Sequence, residues 1–514
     1  MKLTQKLQQP RYRWVGLAFL SIALLTVSMN NSILNVSMPV IAVALDASTS
    51  DLQWIEDSYI LVFSALLLSM GMLGDRYGRK RFLMWGMVAF GAFSIMAALA
   101  QGTIWVIVAR ALQGAGGAVV MPSTLSLISA MFRDANDRSK AIAIWSAMFG
   151  VGYGIGPLVG GALLNLPWFN WQGIFLINLP LGLIFMVGGA FFIPESYHPS
   201  SNRIDLPGVA LSFTGLFSLI YAIIAAGEHG WSAPDVLAWF GTAVVFTAVF
   251  VWWENRTPHA MLPLTLFRNP SFTLVSITMM FISFGLSGLF FFLPLFLQGI
   301  QGYTPLQTGL LLMPQSIISV LVSWNSHHII RWIGVRGTML TGLTLMASGM
   351  ALVAITIHPA IPYGLILVGL IMIIAGIDSS MPAGTVSIMS SVPEEKAGIG
   401  SAMNEMAINI GGALGIAVLG AILNRVYQLG VTPLAEQVSP EVMDSIANSI
   451  FSAHKALANL DGGAALIVVV DNAFVDGMRA IMVVCAVLFS VLAVLVRIYL
   501  PRKVQQAELE IPAA

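Results

Sequence analysis

Four carboxylic acids stand inside long apolar runs of this chain: Glu56 and Asp57 side by side, Asp378, and Glu405. A carboxyl group held away from water can take up and release a proton, and as the anion it can pair with a cation. Arg110 lies in another apolar run, where an unpaired guanidinium is expensive, so it is a functional candidate by default. Asn30 and Asn31 add groups that hydrogen-bond but do not titrate.

Helical spacing sorts these residues. Neighbours on a helix point about 100° apart, so Glu56 and Asp57 have different surroundings. Asp57 shares a face with Ser64, Gly71 and Asp75 and reads as cavity-facing. Glu56 shares one with Ile60, Phe63, Leu67 and Met70 and reads as snorkelling to the outer interface. Counted from the outer edge, Asp57 and Arg110 both lie about 9 Å deep, which makes them a candidate pair. Glu405 shares a face with Asn409 and Gly412, as a cavity lining would. Asp378 fits either a proton site or a buried hydrogen bond to a neighbouring helix.

The elements that must position these groups follow from composition. The chain has 514 residues, 57% hydrophobic and only 9% charged, with a mean hydropathy of +0.85, which excludes a string of soluble domains. Net charge is zero and no basic stripe is present, so no nucleic-acid partner is expected. Cys485, the one cysteine, can form neither an internal disulfide nor a thiolate metal site. No phosphate-binding loop, zinc-ligand pattern, nucleophile elbow or dinucleotide fingerprint occurs, so no enzyme, metal or cofactor is expected.

Fourteen apolar windows are long enough to span a bilayer, which gives an all-α polytopic membrane protein. The first follows Lys2, Lys6, Arg11 and Arg13 and has no cleavage site, so it reads as a spanning helix and not a removed signal. With an even count and both termini inside, Arg425, Lys455 and Arg479 alone fall outside and Arg110 lies within a span; the rest of the 24 Lys and Arg fall on the inner side. The expected organisation is a six-helix bundle over 1–202, two inserted helices with a linker over 203–270, and a second six-helix bundle over 271–514. That last bundle carries an external insert at about 425–475, with helix-like stretches at Pro440 to Leu457 and Ala464 to Ala473 around a glycine turn. The insert reads as either a lid or a plain solvated connection. Met261 to Arg268 reads as interfacial.

Order of residues adds what composition cannot. Between the second and third spans stands Gly71 Met72 Leu73 Gly74 Asp75 Arg76 Tyr77 Gly78 Arg79 Lys80, which on charge alone is a topology anchor. Its order resembles the signature loop of the major facilitator superfamily. Arg110 Ala111 Leu112 Gln113 Gly114 Ala115 Gly116 Gly117 resembles that family's buried-arginine motif, and Gly152 to Gly161, with Gly156 and Pro157 at its centre, resembles the motif of its antiporter branch. On glycine content alone this second run is a packing seam. The stretch Met29 to Pro39 resembles the first helix of fourteen-helix drug:proton antiporters, in which an aspartate usually stands at the place of Asn30. Asparagine cannot exchange a proton, so coupling must lie elsewhere.

The resemblance implies two six-helix bundles plus two extra helices, with Gly71, Asp75, Arg76, Gly78, Arg79, Gly156 and Pro157 governing conformation. It implies a monomer in the bacterial cytoplasmic membrane that exchanges protons for small-molecule lipophilic cations such as quaternary ammonium compounds and dyes, driven by the proton gradient. Carboxylates among Phe and Met suit bulky soft cations. The alternatives are a proton-coupled exporter of a neutral or anionic metabolite, antibiotic or lipid, and a non-transporting membrane sensor or scaffold.

Overall fold

The computed structural model describes residues 10–132, 134–166, 170–196, 205–257, 264–390, 397–458 and 460–501. In chain order the helices are α1 (Pro10–Leu45), α2 (Thr49–Tyr77), α3 (Arg79–Ala98), α4 (Thr103–Met131), α5 (Ala135–Leu164), α6 (Gly173–Leu176), α7 (Asn178–Phe192), α8 (Leu206–His229) and α9 (Pro234–Glu254). They continue with α10 (Pro270–Gly299), α11 (Pro305–Thr356), α12 (Tyr363–Ser390), α13 (Ala397–Val431), α14 (Pro440–Asn448), α15 (Ile450–Leu457) and α16 (Gly463–Tyr499). The end of the molecule where α2 turns into α3 at Gly78 is called the basic end below, after Arg76, Arg79, Lys80 and Arg81.

Twelve of the helices among the described residues are long and apolar enough to cross a membrane, against the fourteen crossings expected. The difference falls at two places. At 52 residues α11 is about 78 Å long, more than twice a hydrocarbon core, and it is broken at Gly334, where φ is 74° and ψ 166°. The 29-residue α2 is not among the twelve and carries Asp51, Glu56, Asp57, Asp75 and Arg76.

Packing follows two parallel schemes. Among the early helices α1 packs on α5 and α7, and α4 lies between α2 and α3. Among the late ones α10 packs on α13, α11 on α12, and α16 on both α11 and α13. The two sets meet where α2 crosses α13, α5 crosses α11 and α1 crosses α10. The inserted pair α8 and α9 pack on each other, and α8 lies against both α2 and α13 at their seam. Interior positions are filled by large rings such as Phe291, Phe292, Phe296 and Phe489, none with measurable exposure, whereas Leu183, Phe191 and Val244 point outward toward lipid.

Local chemistry sets the ends. Ser48 caps α2 through a capping box with Asp51, and Thr304 does the same for α11 with Gln307. At the basic end Gly78 takes φ 103°, a backbone conformation that a side chain strains, and its N–H donates to the Gly74 carbonyl. The next helix starts against a carboxylate: the backbone N–H groups of Lys80 and Arg81 donate to Glu195 at 2.9 and 3.3 Å, and the Arg79 N–H donates to the Ser196 carbonyl. Gly71 lies against Pro122 of α4, and the Arg79 side chain donates to the Ser126 carbonyl. Arg76 is exposed, and the side chain of Asp75 lies outside the described residues.

The external insert departs from expectation. No breaker separates Ala464 from the last span, so α16 runs unbroken for 37 residues. Pro440 to Leu457 divides at the extended Ser449, whose hydroxyl caps α15. Arg479, one of the cations outside the inner side, holds helix ends together. It donates to the carbonyls of Ala354 and Ile357 at the end of α11 and pairs with Asp476. Of the interfacial segment, 261–263 lies outside the described residues and Leu264–Arg268 forms a 3-10 turn.

Gly78→Ala should destabilise the protein by about 1–2 kcal/mol, the cost of a left-handed backbone with a Cβ. A lower thermal midpoint in detergent than for the control Gly102→Ala, whose Cβ meets nothing, is the expected outcome.

Candidate functional site

Why α4 can bring a guanidinium into the interior is written in the four residues after Gln113. A Cβ at Gly114 would lie 2.5 Å from the Tyr59 carbonyl of α2, and one at Gly116 2.9 Å from the Phe90 backbone of α3. One at Gly117 would lie 2.7 Å from the Tyr59 hydroxyl. The three glycines thus let α4 nest between its neighbours.

Arg110, fully buried, is satisfied from several sides. Its Nη2 lies 3.9 Å from Glu56 Oε2, its Nε donates to the Ile55 carbonyl at 3.2 Å, and its Nη1 donates to Gln113 Oε1 at 2.8 Å. The guanidinium also sits 4.3 Å from the centre of the Tyr59 ring. From Gln113 the network continues: its Nε2 donates to Ser94 Oγ at 2.7 Å, and Asn178 Nδ2 donates to Ser94 Oγ at 3.2 Å and to Asn30 Oδ1 at 2.9 Å. Five helices, α2, α4, α3, α7 and α1, are tied together inside the bilayer by polar side chains.

This corrects the expected pairing of Arg110 with Asp57. Equal depth does not decide which way a side chain points, and a turn of about 100° places Glu56, not Asp57, toward α4. The exposed, snorkelling Glu56 is likewise overturned: it is 6% exposed. Asp57 is fully buried, and neither carboxylate oxygen has a hydrogen-bond partner. It lies three residues from Trp54 and four from Leu61, both packed against α8 and the Ala413–Ala417 stretch of α13. Those neighbours put Asp57 on the face of α2 that meets α8 and α13.

Asn31 is half-buried beside Tyr59, with its Oδ1 unpartnered. Asp378 on α12 faces Ser319 of α11 and has one unpartnered oxygen. Glu405 on α13 is half-buried, its backbone carbonyl accepting from Asn409, while neighbouring Asn404 reaches Thr385 at 3.5 Å. Among the described residues no hydrogen bond or ion pair joins these late acids to Glu56, Asp57 or Arg110. Ser94, Asn178 and Gln53 are buried, hydrogen-bonded positions that the sequence pattern alone did not single out. A signal for them exists, since a polar side chain deep in an apolar run needs a partner.

The glycines of α5 divide between two neighbours. Gly152, Gly156 and Gly160 abut Leu25, Ser32 and Ile33 of α1, whereas Gly154 and Gly161 abut Ser316 and Pro305 of α11, and Gly309 of α11 abuts Pro157. One face binds within the early helices; the other closes against the late ones. Further contacts close the same seam: Gln53 Nε2 donates to the Ile416 carbonyl at 2.8 Å from a notch that Gly420 leaves open, and Gln298 Nε2 donates to the Val36 carbonyl at 2.8 Å. Ser316 donates to the Gly154 carbonyl, and Ser452 of the insert to Asp46. All lie in the half of the molecule remote from the basic end. Among the described residues no hydrogen bond or ion pair joins early to late helices at the basic end.

The family described as Major Facilitator Superfamily matches residues 20–416. The chain is 35% identical over 490 residues to the Multidrug efflux pump LfrA of Mycolicibacterium smegmatis, covering 95% of this chain and 96% of that one. It is 30% identical over 496 residues to the Multidrug resistance protein Stp of Mycobacterium tuberculosis, covering 95% and 92%. A bacterial homolog to the human lysosomal transporter Spinster, in an inward-facing and unoccupied conformation, superposes with a TM-score of 0.68 at 17% identity, over 97% of this chain and all of that one. At that identity it speaks for the fold alone.

Which acid serves Arg110 can be read energetically. A double-mutant cycle on unfolding should give a coupling of at least about 1 kcal/mol for Glu56 with Arg110 and under about 0.5 kcal/mol for Asp57 with Arg110. The reverse ranking would reject the assignment.

Proposed function

Because the chain belongs to the major facilitator superfamily and is a non-enzymatic transporter, we propose that it is a proton-coupled multidrug exporter that moves lipophilic cations across the membrane by alternating access. The observation that carries this is Asp57, a buried carboxyl with both oxygens unpartnered on the seam between early and late helices. A charge there would be uncompensated in low dielectric, so the closed seam suits the neutral acid. Opening the seam admits water or a cation; the carboxyl then gives up its proton and the anion pairs with the drug. Proton and cation occupy the same group in turn, and that mutual exclusion is exchange.

Orientation follows from charge. The cluster Arg76, Arg79, Lys80 and Arg81 supports a basic end that faces the cytoplasm, with both termini there, in a bacterial inner membrane. The hydrogen bonds Gln53 to Ile416 and Gln298 to Val36 then lie on the outer side, where they support its closure. Fourteen crossings follow from counting α2 and from dividing α11 at Gly334, with bundles over 1–202 and 271–514 flanking the pair in 203–270. A monomer is sufficient, since both sets of helices that form the seam come from one chain. Glu405 and Asp378, half-buried in the late helices, attract the cation before it reaches the seam. Multidrug efflux and resistance in the names of LfrA and Stp support the drug-export reading.

Reconstituted vesicles with an imposed pH gradient test it against neutral, anionic and cationic solutes. Gradient-dependent accumulation of ethidium-like cations is expected; accumulation of neutral or anionic solutes alone would assign another cargo, and no flux at all would make the protein a sensor or scaffold. Asp57→Asn should abolish driven cation export and the proton released on drug addition to purified protein, while membrane insertion is kept. Glu405→Gln should weaken divalent cations more than monovalent ones, whose single positive centre needs only one carboxylate.

A further inference from the structure

On the lipid side of Asp57 stands a cluster of aromatic rings that the exchange mechanism does not use. Trp54 of α2 lies 5.5 Å from Phe217 and 5.8 Å from Tyr221 of α8, ring centre to ring centre. Trp239 of α9 lies 4.6 Å from Tyr221 and 6.3 Å from Phe217, and Phe213 extends the cluster at 6.0 Å from Phe217. All five are half-buried. They come from three helices, so nothing in the order of residues marks them as a group.

Two further facts give the cluster a chemical character. No Lys or Arg occurs on α8 or α9, and none of the cations that sit over rings elsewhere among the described residues touches these five. One helical turn from Trp54 on either side stand two carboxyls: Asp51, engaged in the Ser48 capping box, and Asp57, fully buried and unpartnered, whereas Glu56 is held by Arg110. Ring faces carry negative potential, and a cation within about 6 Å of a ring centre is attracted, more strongly when desolvated. Outside the cluster, α9 turns Leu237, Val244 and Val245 to the bilayer.

We propose that Trp54, Phe217, Tyr221 and Trp239 form a lateral binding site for planar lipophilic cations arriving from the lipid, from which the cation is passed to Asp57. The inserted pair α8 and α9 thereby acquires a role, since it builds the aromatic half of a site whose acidic half belongs to α2. This rests on the reading of the chain as a cation exporter, and commits that reading to a particular route.

The test uses the full-length protein in detergent and in vesicles, with ethidium as the ligand and its photoreactive monoazide as the label. Label should be recovered on peptides from α2, α8 and α9 and be displaced by tetraphenylphosphonium. Trp54→Leu combined with Trp239→Leu should raise the ethidium Kd at least about tenfold, whereas Trp54→Phe with Trp239→Phe, which keeps a ring face at each place, should stay within about threefold of the parent. Should the leucine variant fail to fold, the label map on the unaltered protein decides. Label confined to other helices, or equal losses for the Leu and Phe pairs, as a packing role predicts, would overturn the site while ethidium export leaves the transport reading standing. An unaltered protein that neither binds nor exports ethidium would overturn both.

Discussion

A bilayer offers no hydrogen bonds, so every polar group carried into it must be answered by the protein itself. Arg110 shows how this chain meets the demand: one backbone carbonyl, one amide oxygen and one ring face surround it, and its Nη2, without a hydrogen bond, faces the Glu56 carboxylate at 3.9 Å. Each of those partners then needs its own place, and Gln113, Ser94, Asn178 and Asn30 pass the requirement across five helices. The cost of leaving any member unpaired fixes the relative positions of α1, α2, α3, α4 and α7 more firmly than apolar contact could, because lipid competes equally well for apolar surface. Against that background Asp57 stands out. Among the described residues it is the buried carboxyl with neither oxygen answered, and its helix neighbours Trp54 and Leu61 pack against α8 and α13.

Close approach is the other half of the same constraint. Polar side chains such as Ser32, Ser316 and Gln53 reach backbone carbonyls or neighbouring helices because glycine opposite them leaves room. The arrangement on α5 is instructive, since its glycines serve α1 on one face and α11 on the other. The first contact lies within the early helices and can persist through a transport cycle. The second must separate if the far side is to open. A single glycine-rich helix therefore joins a permanent interface to a transient one, and Pro157, which removes a backbone hydrogen bond between them, lies against Gly309 on the transient face.

Much of this was legible in the sequence, and the failures are specific. Helix existence could be read because about twenty apolar residues are needed to cross lipid and little else produces such runs. The signature loop could be read because Gly78 and its cations have few alternatives. Direction of side chains could not. Glu56 and Asp57 differ by one residue, and only the partner helix decides which of them meets the guanidinium; depth along α2 favoured Asp57 because it carries no information on the direction of a side chain. Element ends failed where the chain has no breaker, as between Ala464 and the last span, or an unmarked one, as at Ser449. The aromatic cluster could not be seen at all, since its members meet only through the packing of α8 across the seam.

Among the described residues the hydrogen bonds between early and late helices lie on one side, and their strength bears on the exchange proposed above. Gln53, Gln298, Ser316 and Ser452 each contribute one hydrogen bond across the seam, individually worth about 1 kcal/mol and together no more than a modest bias toward closure. A seam held this weakly can be reversed by one event of a few kcal/mol. Placing an uncompensated charge at Asp57, which is fully buried with neither oxygen partnered, is an event of that size. The protonation state of one side chain is thus comparable in size to that set of hydrogen bonds. The proposed exchange draws on that balance, since a seam held by light contacts responds to a single change of charge.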